Sequence, residues 1–150
     1  MEGKMFEFDQ ALIGRVFEAE SPVEVTAEMI ANFCYAIGET NSLPGDFEGV
    51  ADGPHGGLIA PPSFAGIFRT ADLIFQKMQN GSRRLAAGME VDFVAPIRAG
   101  DRITMVSRIK EIYEKTGRTG AMVFMVISST LRNQNGEVIA HIDHRFMNRP

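Results

Sequence analysis

The sequence predicts an α+β domain in which a long antiparallel sheet wraps one central, buried helix. Three observations predict it. The first is the run Gly-Gly-Leu-Ile-Ala-Pro-Pro-Ser-Phe at 56–64 and the apolar stretch it opens. Across 64–78, Phe64, Ile67, Phe68, Ala71, Ile74, Phe75 and Met78 recur with a helical period. Ala65, Gly66 and Leu73 widen that stripe around the helix, which therefore reads as buried rather than half-wet. The second is that only strand-like sequence follows, at 87–95, 102–114, 121–132 and 137–147. The third is the turn punctuation between those segments, Arg98-Ala99-Gly100-Asp101, residues 115–120, and Asn133-Gln134-Asn135-Gly136.

The elements follow in order. Residues 1–14 form a short lead-in with a turn at Gly14. Residues 15–25, rich in Val, Phe and Glu and interrupted by Ser21-Pro22, predict an edge strand or extended arm. Thr26 caps a helix over 27–37, with Glu28 in its first turn and Gly38 just past its end. Ile30, Phe33, Cys34 and Ile37 form its inward stripe. About 20 residues of turn-forming sequence, 39–61, follow, a length typical of a functional or ligand-covering loop. Pro61 and Pro62 fix an extended entry, Ser63 caps the buried helix, and Asn80-Gly81 stops it. Met122 to Ile127 is apolar on both faces, so one face covers the helix and the other meets a second sheet, most simply from another subunit.

Composition narrows the function classes. The 150 residues form a single domain, 1–150, and 45% hydrophobic content suffices for a core. Nineteen acidic and 15 basic residues give a net charge of −4, which argues against nucleic acid as the main partner. The N-terminus lacks the apolar core of a secretory signal, and no window reaches the ~18 to 20 apolar residues of a membrane span. A cytoplasmic protein with no membrane partner is expected. Cys34 is the only cysteine, which excludes an intramolecular disulfide and a cysteine-based zinc site. His55, His141 and His144 have no recognisable metal spacing, and the sequence calls for no cofactor.

Several segments recur here in a familiar order. A helix ends in Gly-Glu-Thr-Asn, a long loop leads to Leu-Ile-Ala-Pro-Pro-Ser-Phe, and the buried helix follows. Val-Ala-Pro-Ile-Arg-Ala-Gly-Asp, Tyr-Glu-Lys-Thr-Gly-Arg-Thr-Gly and Leu-Arg-Asn-Gln-Asn-Gly-Glu-Val-Ile-Ala complete the set. Over essentially the whole chain this resembles the MaoC-like, (R)-specific enoyl-CoA hydratase and dehydratase family. The resemblance implies a hot-dog fold dimerising through edge strands, as a homodimer or as a heterodimer with a second MaoC-like chain. It also implies an acyl-CoA or acyl-carrier-protein thioester as ligand, and a place in fatty acid metabolism.

Hydration of an enoyl thioester needs a base or acid, a group to hold water, and donors for the charge that develops on the thioester oxygen. Active members of the family supply these from an Asp-x-Asn-Pro-x-His segment and from a glycine amide opening the buried helix. The matching segment here is Glu39-Thr40-Asn41-Ser42-Leu43-Pro44. Glu39 stands for the aspartate and Asn41 matches, but Pro44 replaces the histidine. Pro62 replaces the glycine and has no N–H to offer. The Ala-Pro-Pro-x-Phe start resembles the degenerate, N-terminal-type half of two-part members, so whether the chain is itself an enzyme stays open. Glu39, Asn41 and His55 are the candidate catalytic residues; Ile59, Phe64, Gly66 and Phe68 are expected along a narrow acyl tunnel. The expected function is a hydratase or dehydratase subunit with an impaired site. The alternatives are a non-catalytic acyl-CoA-binding or partner-stabilising protein and, third, a thioesterase.

Overall fold

The structure, a computed structural model, describes residues 10–39, 58–76 and 84–148. A 3-10 turn at Gln10–Leu12 leads to two short strands, β1 (Phe17–Glu18) and β2 (Val23–Glu24). Helix α1 (Ala27–Ile37) follows with the caps read from sequence. The Met29 N–H donates to Thr26 Oγ1 at 3.1 Å, and Gly38 turns left-handed at φ 75° to close the C-terminus. Ile30, Ala31 and Cys34 are buried and Phe33 packs against them, but Ile37 is 48% exposed. The inward stripe therefore ends one turn before the cap, where the helix has passed the core.

Four long strands, β3 (Arg84–Phe93), β4 (Arg102–Gly117), β5 (Gly120–Arg132) and β6 (Val138–Asn148), build the sheet. All pairs are antiparallel in the order β1-β4-β5-β6-β3, with β2 also on β4. Register assigns each side chain to a face. Met105–Leu131–Ala140–Phe93, Ser107–Ser129–Ile142–Val91 and Ile109–Ile127–His144–Met89 are rows on the helix face. Glu111–Val126–Arg145–Gly88 and Arg108–Ser128–Asp143–Glu90 are rows on the outer face. Bulges between Ala86 and Gly88 and between Ile109 and Glu111 keep these faces consistent along the strands.

The buried helix is present but broken, where an unbroken one is expected over 64–78. A 3-10 helix, Pro62–Phe68, is followed after three residues by α2 (Asp72–Phe75). Ser63 lies inside the first piece rather than capping it; Pro61 is the N-cap and no side chain bonds the start. The two prolines account for the early entry, since a helix tolerates proline only where its N–H has no intrahelical partner. The break is held from the sheet: Ser107 Oγ donates to Thr70 O at 2.9 Å and lies 2.8 Å from Ser129 Oγ. Asn80 and Gly81 lie outside the described residues.

These hydroxyls separate two apolar clusters. One gathers Ile30, Cys34, Phe64, Phe68, Ile103, Leu131 and Ile142, among others, around the 3-10 helix. The other gathers Leu12, Phe17, Ala71, Ile74, Ile109, Met125 and Ile127 around α2. On the outer face of 122–127, Met122 and Phe124 are half-buried within the single chain. Val126 is buried, and Phe124 stacks on Tyr113 with centroids 5.2 Å apart and Lys115 alongside. Among the described residues, Leu85, Met89 and Phe93 on β3 and Val94 just beyond it are exposed large apolar side chains, as are Ile13, Val16, Tyr35 and Ile37 elsewhere.

Candidate functional site

A pocket of about 390 Å³ opens where the 3-10 helix begins. Ile59, Ala60, Pro61 and Pro62 form one wall; Phe93, Val94, Ala95, Pro96 and Ile97 form the other. Backbone pairing staples the walls together: Ala60 N–H donates to Ile97 O at 2.9 Å and Ala99 N–H to Leu58 O at 2.8 Å. The lining is apolar and poor in donors. Pro61, Pro62 and Pro96 have no N–H. The amides of Val94 and Ala95 both donate to Ile139 O, at 2.9 and 3.1 Å. Such walls suit an apolar group, and these positions offer no free amide to an oxyanion.

The expected site residues distribute unevenly around this pocket. Ile59 lines it. Gly66 lies on the exposed side of the 3-10 helix toward β3, where an added Cβ would stand 4.0 Å from Met89 Cε. Phe64 and Phe68 are 0% and 2% exposed, with centroids 6.0 Å apart, and belong to the core rather than to the pocket lining. Glu39 is half-buried just beyond Gly38, at the negative end of the α1 dipole, and its N–H donates to Cys34 O at 2.8 Å. Burial, and to a lesser degree the Glu39 charge, push the Cys34 thiol up. Asn41, Pro44 and His55 lie outside the described residues.

The wall at 93–97 is the part that sequence reading missed, because strand periodicity over 87–95 carries straight into it. The signal was an apolar run that ends in proline, Phe93-Val94-Ala95-Pro96, which a continuing strand does not favour. The polar side chains of β6 divide by face. His141, Asp143 and Arg145 share the outer face, where Asp143 takes a 2.8 Å ion pair from Lys110 and His141 Nδ1 lies 3.2 Å from Thr130 Oγ1. Burial pushes the Asp143 carboxyl up, but hydrogen bonds from Lys110 and Ser128 outweigh it and hold it below its ordinary value. His144 faces the helix, half-buried with Nδ1 enclosed and unpartnered, and burial pushes it down. Among the described residues no group of three or more His, Cys, Asp or Glu could hold a metal ion, and no helix is long and apolar enough to cross a membrane.

Known proteins share this architecture. A UPF0336 protein of Streptomyces coelicolor is 34% identical over 114 residues, covering 73% of this chain and 76% of its own length. The C-terminally truncated HadBC (3R-hydroxyacyl-ACP dehydratase) complex of Mycobacterium tuberculosis contains a chain with TM-score 0.74 and 21% identity. That match covers 91% of this chain and 96% of the other. A MaoC-like dehydratase superposes with TM-score 0.78 at 18% identity, over 92% of this chain but 42% of that one. The sheet order around a buried helix is thus a hot-dog fold of the MaoC-like kind. The model of the FAS1-like dehydratase domain region matches residues 11–142, and the chain belongs to that family of hot-dog dehydratases.

Proposed function

We propose that this chain is the pocket-forming subunit of an acyl-thioester hydratase or dehydratase whose proton chemistry is completed by a second hot-dog chain. The observation that carries this reading is the donor-poor pocket. Pro62 stands where the family resemblance calls for a backbone amide, and the neighbouring amides are already committed. In the hydration direction water adds across C2=C3, its hydroxyl going to C3 and a proton to C2. The charge gathering on the thioester oxygen needs donors, which Pro61, Pro62 and Pro96 lack and which the Ala60, Val94 and Ala95 amides have already given to backbone carbonyls. The pocket suits the apolar part of the acyl chain, with Ile59 and Phe93 as walls. Glu39, Asn41 and His55 remain this chain's candidates for polar contacts near the reacting carbons. The similar chain from Mycobacterium belongs to a dehydratase complex, which supports a subunit role. A location in the cytoplasm and a substrate drawn from fatty acid metabolism fit the same reading.

Two measurements on the purified chain test it. Turnover of crotonyl-CoA should fall at least ~10²-fold below that of an intact MaoC-like hydratase, since loss of one oxyanion donor alone costs ~10²- to 10³-fold. Ordinary enzyme rates would overturn the impaired-site reading, and Glu39→Gln and His55→Ala would then identify the working groups. A panel of acyl-CoAs should raise the melting temperature by mass action, and Ile59→Phe, which adds bulk in the pocket wall, should reduce the shift. No shift at any chain length would remove the thioester as ligand.

A further inference from the structure

One wall of the apolar pocket, 93–97, runs directly into the turn Arg98-Ala99-Gly100-Asp101, and the other wall is bonded to that turn. Ala99 N–H donates to Leu58 O at 2.8 Å, and Ile59 pairs as an isolated bridge with Arg98. Gly100 N–H donates to Val25 O at 2.7 Å and Val25 N–H to Asp101 O at 2.8 Å, which fastens the residue just before the α1 cap to the same turn. A carboxylate fixes this hub. Asp101 is 6% exposed, and its Oδ2 accepts from the Arg98 N–H at 2.9 Å. Its Oδ1 accepts at 3.2 Å from Nε2 of Gln134, 33 residues away between β5 and β6. Gln134 Oε1 accepts from the Arg102 N–H at 3.0 Å, and this sets the direction of the amide, since only its oxygen can take that proton. The loop that carries Gln134 is held locally: Asn133 Oδ1 accepts from the Asn135 and Glu137 N–H groups at 3.0 and 3.1 Å. Asp101 makes no ion pair among the described residues, so these bonds are what offset the burial of its charge. Neither Asp101 nor Gln134 lines the pocket.

We infer that Gln134 is a positioning residue for the pocket: through Asp101 it fixes the turn that sets both walls, and with it the spacing an acyl chain meets. The inference rests on the subunit reading above and adds to it a determinant outside the lining. Position 134 must offer a donor to Asp101 and an acceptor to Arg102 at once, and a side-chain amide supplies both. Because Gln134 is exposed, water can satisfy the groups its loss would free, and the fold as a whole loses little. The walls lose more. Their cross-ties, Ala60 N–H to Ile97 O and Ala99 N–H to Leu58 O, stand immediately before and within the released turn. Binding is more sensitive still, since a gap of about 0.5–1 Å already forfeits roughly a quarter to a half of the attraction in each apolar contact.

Moving the amide across the link tests this. Gln134→Glu sets two carboxylates against each other, whereas Asp101→Asn/Gln134→Glu restores every bond in reverse. In that double variant the amide carried at position 101 accepts from the Arg98 N–H and donates to the carboxylate carried at position 134, whose second oxygen accepts from the Arg102 N–H. In native-state hydrogen exchange at pH 7, the Ala60 and Ala99 amides should exchange about tenfold faster in Gln134→Glu and return to within about threefold of wild type in the double variant. Leu131 and Ile142 should keep their wild-type rates throughout, which shows that each variant is folded. Octanoyl-CoA binding should weaken about fivefold in the single variant and recover in the double. Its advantage over acetyl-CoA should shrink and recover alongside, a change that general destabilisation does not produce. Wall amides that keep their rates in Gln134→Glu, a double variant that behaves like the single, or octanoyl-CoA affinity unchanged across the set would each overturn the positioning role. A wild type that binds no acyl-CoA, with the exchange pattern as expected, would sink the thioester reading while upholding the hold of Gln134 on the walls.

Discussion

His144 stands between Ile127 and Met89 on the helix face, and its enclosed Nδ1 makes the protonated ring costly there. Burial holds its folded-state pKa below the ordinary histidine value. The sign follows from proton counting. As pH falls through the ordinary histidine value, ~6.5, the unfolded chain takes up a proton that the folded chain still refuses, so stability is lost below that pH and kept above it. Urea unfolding at pH 7.5 and 5.5 should show this loss, at most about 1.4 kcal/mol per pH unit, and His144→Gln should flatten it. Equal slopes for the two proteins would assign the acid sensitivity elsewhere. Asp143 works in a lower window, because its depressed pKa contributes stability above the ordinary aspartate value that is lost only as pH falls through the folded one. The two groups titrate in different windows and so are separable by pH alone.

At the scale of elements, α1 is where sequence and structure agree most closely, because its signals are local. Thr26→Ala removes the acceptor for the Met29 amide and should cost about 1 kcal/mol in urea unfolding, whereas Thr26→Gly should cost only a few tenths. The long strands were legible for a similar reason, since alternation and turn residues fix both their faces and their ends. What stayed hidden depends on distant partners. Nothing in residues 64–78 announces the break near Thr70, because its cause is a hydroxyl 37 positions away on β4. Nor could apolar periodicity tell that Met89 and Phe93 are left at an open edge, since it records that a face wants cover and not what supplies it. The candidate site was legible only in part. Ile59 lines the pocket, but Phe64 and Phe68 are consumed by the core, with Phe33 packed edge-on against Phe64 at 5.5 Å.

For the whole molecule, the last strand of the sheet and the donor-poor pocket adjoin, since Phe93 ends β3 and begins the pocket wall. The belt formed by Ser107, Ser129 and the Thr70 carbonyl has a different consequence. Because hydroxyls interrupt the apolar contacts between the two clusters, the interior is coupled less tightly across the belt than within either half. The four-residue α2 and the short β1 it touches should open as one small cooperative unit while the sheet and α1 stay closed. In native-state hydrogen exchange, the amides of Ile74 and Phe75 should exchange faster than those of Leu131 and Ile142, at a denaturant dependence too shallow for global unfolding. One common opening energy for all four would mean that the protein melts as a single unit, belt included.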